Sequence, residues 1–205
     1  MPGVSQTKGV ALNMSQTSSR RLAAFMQISL DGYYCDPGGD MSFAHKPPED
    51  VEWHDFVAEN ARGGGVLLFG RITYEMMAAW WPTPMAAHAM PEVAMRMNAM
   101  PKIVFSRTLS SADWSNTTLV KDDLVGAVRR MKDETGPDMT ILGSGSLVRQ
   151  LADARLIDTL QVVVNPIVLG AGKPLFSGLT RRLDLVLTNT RAFRNGSVVL
   201  GYTPR

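Results

Sequence analysis

The 205-residue sequence has one cysteine, Cys35, and three histidines. One thiol cannot close an internal disulfide, so a reducing, cytoplasmic compartment is expected. His45, His54 and His88 are scattered. They have neither metal-ligand spacing nor the spacing of a nucleophile's base, so no metal site is expected and Cys35 reads as a packing residue. No apolar run reaches the length of a membrane span, and no membrane partner is expected. The net charge of +2 is too small to suggest nucleic acid as a partner. No Gly-x-Gly-x-x-Gly follows the first strand, which argues against the standard dinucleotide fold. No Gly-x-x-x-x-Gly-Lys-Ser/Thr is present, which argues against phosphoryl transfer. Residues 1–20 are polar and lack the apolar centre of a signal peptide. They read as a disordered tail ahead of one domain at 21–205.

What is present suits a single α/β core. Hydrophobic residues make up 45% of the chain, enough to close one core. Strands are predicted at Leu22–Ser29, Val66–Phe69, Lys102–Phe105, Thr118–Val120, Met139–Leu142, Leu156–Val164, Ile167–Leu169, Leu183–Phe193 and Val198–Tyr202. Helices are predicted from the Pro47-Pro48-Glu49-Asp50 start to Arg62, and at Ile72–Trp80, Pro91–Ala99, Asp122–Glu134 and Ser146–Ala152. Strands alternating with helices predict a mostly parallel sheet, and the consecutive terminal strands, with an Asn195-Gly196 hairpin signal, add antiparallel edges.

Ligands of open α/β sheets gather beyond the carboxyl ends of the strands. Four strands here run into small residues, hydroxyls or arginines: Ser29-Leu30-Asp31-Gly32, Gly70-Arg71-Ile72-Thr73, Ser106-Arg107 and Gly143-Ser144-Gly145-Ser146. Each turn alone is explained by tight strand-to-helix geometry. Four on one rim point to a phosphorylated ligand, since glycines admit a pyrophosphate, helix N-termini offer free N–H groups and arginines grip phosphate.

SLDG at Ser29–Gly32, LLFGRITYE at Leu67–Glu75, KIVFSRTL at Lys102–Leu109, ILGSGSLVRQL at Ile141–Leu151 and NPIVLGAGKPLF at Asn165–Phe176 occur in that order. Together they resemble the dihydrofolate-reductase-like superfamily, most closely the bacterial group similar to the reductase domain of the bifunctional riboflavin-biosynthesis protein. The resemblance implies a three-layer α/β/α fold with about eight strands and NADPH as hydride donor. It places Gly70, Arg71 and Thr73 at the cofactor's phosphate and ribose, Ser106 and Arg107 near its adenosine end, and Gly143, Ser144, Gly145, Ser146 and Leu147 around the pyrophosphate. Folate reductases carry a cis bond between two glycines at that turn; the equivalent bond here is Gly143–Ser144.

Reduction of a C=N bond also needs a proton at nitrogen. The resemblance offers Asp50, with Trp53 on the same helix face, and Asp31 of SLDG. Their structural alternatives are a first-turn helix acid and a turn former. Ser29, Trp53 and Trp81 are candidates for the substrate side. Phe25 stands where the riboflavin enzyme has a lysine, and Val163 about where a folate reductase has a threonine. The expected activity is therefore reduction of a small heteroaromatic, pterin-like or aminopyrimidine (riboflavin-precursor-like) molecule. A cofactor-binding sensor without turnover and a flavin- or deazaflavin-dependent reductase are the alternatives. A homodimer is expected, because Ile167–Phe176 and the terminal strands present an apolar sheet edge.

Overall fold

The computed structural model describes residues 19–205. Residues 1–18, most of the expected tail, lie outside the described residues. Arg20, the last residue of that expected tail, belongs to the fold: it is buried, and its Nε donates to the Pro137 carbonyl at 2.7 Å.

The elements are β1 (Leu22–Ser29), β2 (Tyr33–Cys35), α1 (Val51–Arg62), β3 (Val66–Gly70), α2 (Arg71–Trp80), α3 (Pro84–Ala89), α4 (Pro91–Ala99), β4 (Lys102–Phe105), β5 (Thr117–Val120), α5 (Leu124–Asp133), β6 (Met139–Leu142), α6 (Gly145–Asp153), β7 (Thr159–Asn165), β8 (Lys173–Pro174), β9 (Leu185–Ala192) and β10 (Val198–Pro204). Eight strands form one sheet in the order β5-β4-β3-β6-β1-β7-β10-β9. The first six are parallel, and β10 and β9 add antiparallel edges. The expected architecture is therefore present.

Alternation along the strands separates two faces. Leu22, Ala24 and Met26 of β1, with Val66 and Leu68 of β3, pack with α5 and α6. Leu67 and Phe69 face the other way, with Tyr74 of α2 and Val93 and Met97 of α4. Phe25 joins Trp53, Phe56, Val163 and Phe193 under α1. Sheet and helices thus form three layers, and the parallel strands send their carboxyl ends to one rim.

Two predicted elements differ. Ile167–Leu169 is irregular. The Asp31 carboxylate accepts from the Leu169 and Gly170 amides at 3.1 and 2.7 Å, so those donors serve a loop tie and not a ladder. Pro84 begins a helix, α3, that was not among those expected: Thr83 Oγ1 accepts from the Ala86 amide, and proline suits the first helical position. The terminal hairpin closes as expected, with the Phe193 amide on the Ser197 carbonyl at 2.9 Å and Gly196 at φ +85°. The methionine-rich segment is mixed: Met97 and Met100 are core, whereas Met85 and Met95 are exposed.

Candidate active site

The paired strands β3 and β6 end side by side, and each feeds a helix. Neither N-cap residue, Gly70 of α2 or Ser144 of α6, caps its helix with a side chain. Two partial positive charges therefore face one rim, where an anion would be stabilised. The turns are locked together. The Gly70 amide donates to the buried Ser144 Oγ at 2.9 Å, and Thr73 Oγ1 donates to the Gly143 carbonyl at 3.3 Å. Gly143 has φ +68°, and no peptide bond among the described residues is cis, so Gly143–Ser144 is trans.

The glycines have internal reasons as well. A Cβ on Gly145 would lie 2.5 Å from the Tyr34 ring, and one on Gly70 would lie 3.2 Å from Leu147. The uncapped helix ends thus carry more of the case for a phosphate than the glycines do. Leu147 is a core residue and Ser144 is buried, so they shape the turn. Ser146 is exposed beside them. On the next strand Ser106 Oγ accepts from the Thr108 and Leu109 amides, which projects Arg107 into solvent. Arg71 pairs with Glu75 at 2.9 Å, with both side chains about half exposed. Such an i,i+4 pair is worth about 0.3–0.5 kcal/mol, little enough for a phosphate to claim the guanidinium. These residues fit a dinucleotide phosphate in charge and donor supply.

The other end of the rim lies at β1 and β7. Asp50 is the N-cap of α1: Oδ1 accepts from the Trp53 amide at 3.2 Å, and Oδ2 accepts from Asn195 Nδ2 at 2.6 Å. The hairpin therefore orients this carboxylate. Trp53 is only 4% exposed and packs edge-on to Phe193 at 5.2 Å, as a floor to this region. Lys46, which the sequence reading passed over, donates to Asn165 Oδ1 at 2.7 Å and lies 5.7 Å over the Trp53 ring. Burial lowers its pKa from the ordinary 10.5, against an opposing pull from Asp50. Asn165 is itself buried and donates to the Ile28 carbonyl at 3.1 Å, tying Lys46 to the end of β1.

Asp31 stands apart. It is exposed, and hydrogen bonding, from Ser29 first and then from the Leu169 and Gly170 amides, holds its carboxyl below the ordinary 3.8. It suits a fixed anion joining two loops. Ser29 is fully buried, and its hydroxyl bonds to the Tyr33 amide and carbonyl within its own turn. It shapes the rim at the carboxyl end of β1. Trp81, the other aromatic candidate for the substrate side, is half-buried just beyond the last turn of α2. Its carbonyl accepts from Asn98, whose own carbonyl accepts from Lys102 at the start of β4. That is the amino-terminal end of the parallel strands, because α2 runs back from the rim for its whole length, about 15 Å.

The RibD C-terminal domain family matches residues 20–199. The uncharacterized protein YyaP of Bacillus subtilis (strain 168) is 27% identical over 183 residues, covering 89% of this chain and 94% of that protein. A protein from Shewanella sp. PV-4 provisionally assigned to riboflavin biosynthesis superposes with a TM-score of 0.69 at 23% identity, over 90% of this chain and 99% of the other. Enterococcus faecalis dihydrofolate reductase, complexed with NADP(H), superposes at 0.54 with 16% identity, over 90% and 96%. The architecture is thus the dihydrofolate-reductase-like one.

Proposed function

The chain belongs to the RibD C-terminal domain family, a family of reductases, and from that premise we propose that it is a cytoplasmic, NADPH-dependent reductase of a small heteroaromatic substrate, pterin-like or aminopyrimidine in type. The single observation that carries this reading is the pair of uncapped helix ends, locked together by Ser144 and flanked by Arg71 and Arg107. When bound, NADPH supplies a hydride to the carbon of a C=N bond. The α2 and α6 amides would hold the pyrophosphate, Arg71 and Arg107 would meet the 2′-phosphate, and Asp50, oriented by Asn195, would accept N–H groups from the substrate ring. No helix among the described residues is long and apolar enough to cross a membrane.

Arg71→Ala and Arg107→Ala are each expected to weaken NADPH about tenfold, the scale of one charge-assisted contact, and NADH by less than about twofold. Titration of both dinucleotides checks this, and equal losses would exclude the 2′-phosphate role. A homodimer is also proposed. The edge strand β9 pairs with β10 on one side only among the described residues and exposes Val186 at 41% and Leu187 at 52%, and such an edge gains from cover. Sedimentation at micromolar concentration should give twice the chain mass; a monodisperse monomer would remove the proposal.

A further inference from the structure

We infer that Lys46 is the proton donor to the substrate nitrogen, a role that rests on the reductase reading above and that neither Asp50 nor Asp31 fills.

Both Asp50 oxygens already accept N–H donors, one of them at 2.6 Å, so this carboxylate receives hydrogen bonds in the observed geometry. Asp31 is exposed and spends its oxygens on two loop amides. His54, one turn along α1 from Asp50, turns Nε2 to the Pro47 carbonyl at 3.0 Å. A carbonyl accepts only, so the ring proton sits there and the buried Nδ1 is left without a partner among the described residues.

Lys46 differs from all three. An ammonium has three N–H donors. One goes to Asn165 Oδ1 at 2.7 Å and a second, weakly, to the Phe43 carbonyl at 3.4 Å. No carboxylate forms an ion pair with it among the described residues. One N–H remains, on a half-buried cation above the Trp53 ring and close enough to Asp50 to feel its charge. The position also suits the task. Asn165 pairs with Ser29 at the carboxyl end of β1, three residues beyond the level of Gly143, and β7 is two strands from β6, so Asn165 stands about 14 Å from the Gly143 turn. A nicotinamide ring and a planar substrate ring together could fill that gap, with the substrate's reducible bond toward the cofactor and its nitrogen toward Lys46.

The step balances. The hydride brings two electrons to carbon, the C=N π pair becomes the nitrogen lone pair that takes the Lys46 proton, and the neutral amine is reprotonated by water. Among groups packed around Lys46, α1 presents Asp50 and His54, with the Glu52–Arg191 pair farther along, whereas β7 and the hairpin present Asn165, Asn195 and Ser197, which do not titrate. The acid must be protonated, so the rate falls as pH rises, and burial brings that fall below 10.5.

The test uses the full chain with NADPH and two probes, 5-amino-6-(5-phosphoribosylamino)uracil and dihydrofolate. Lys46→Met should lower kcat about 100- to 1000-fold and abolish the alkaline fall, with NADPH affinity changed less than about twofold. Lys46→Arg keeps the charge but cannot release a proton, so it should stay within about threefold of Lys46→Met. Trinitrobenzenesulfonate labelling, read by peptide mass spectrometry, should show Lys46 protected about tenfold by a turned-over probe with NADP+. Recovery of wild-type kcat by Lys46→Arg, an active Lys46→Met, or labelling indifferent to the probe would each overturn the inference while leaving the reductase reading intact. A wild type that binds NADPH but reduces neither probe overturns the reductase reading, and the inference with it.

Discussion

Lys102→Met is expected to cost about 2–4 kcal/mol of folding stability at neutral pH, the scale of breaking a buried charged hydrogen-bond cluster. Lys102 opens β4 and is 1% exposed, yet its Nζ has no carboxylate partner among the described residues. It donates instead to the Met97, Asn98 and Met100 carbonyls at 2.8, 3.2 and 2.7 Å and lies 4.4 Å over the Trp114 ring. The ammonium thus finishes the carboxyl end of α4, where the helix dipole favours a cation. Methionine fills the volume but leaves those carbonyls buried and unmet. The same residue makes stability depend on pH. Burial lowers its pKa from 10.5 to about 8, so between those values the unfolded chain binds more protons than the folded one. Stability of the native protein should therefore rise with pH across that window relative to Lys102→Met, most of the change falling between pH 8 and 10.5. Urea unfolding at pH 7 and pH 10 checks both parts. Equal stability of the two proteins at pH 7 would exclude the capping role, and parallel pH dependence would exclude the lowered pKa.

The second large effect is on turnover. Asp50→Asn should reduce kcat/KM about a hundredfold, because hydrogen bonds to a charged group are worth about 1.5–3 kcal/mol and a substrate N–H donor loses its anion. NADPH affinity should stay within about twofold, since the helix ends that hold the phosphates are those of α2 and α6. Folding stability should fall by less than about 1 kcal/mol, because asparagine is as good an N-cap as aspartate. Steady-state kinetics with the two probes, run beside thermal unfolding, separates these effects. An Asp50→Asn protein with native kcat/KM would reduce Asp50 to a helix cap.

Much of this arrangement was legible in the sequence, for a local reason. β1, β4 and β6 are short apolar runs closed by turn residues, and their observed bounds match the predicted ones. The start of α1 was announced by Pro47-Pro48-Glu49-Asp50, and Asp50 is its cap. The four strand-end turns shared a rim because parallel strands force them to. What was not legible depends on distance along the chain. β2 and β8 are three and two residues long and pair across a separation that no local pattern reports. Ile167–Leu169 has the composition of a strand, but Asp31, 138 residues earlier, takes the Leu169 amide. Trp81 directly precedes Pro82, and its distance from the rim is legible only once the course of α2 is known. Lys46 belongs to no motif, and Asn165 opens NPIVLGAGKPLF without being marked there as a site residue; 119 residues separate them, and only the parallel pairing of β1 with β7 brings Asn165 under the loop that carries Lys46. A lone lysine four residues before Asp50 in a proline-bounded loop was the one available signal. Lys102 reads in the sequence only as the first residue of a strand; its role needs the carboxyl end of α4 beside it.

The central claim is that two uncapped helix ends, joined by Ser144 and flanked by Arg71 and Arg107, bind a phosphorylated nicotinamide cofactor. Titration of the full chain with NADPH and NADH, followed by tryptophan fluorescence, tests it most directly. The account predicts saturable NADPH binding tighter than about 100 µM, with NADH weaker. Absence of binding by both dinucleotides at millimolar concentration would contradict it.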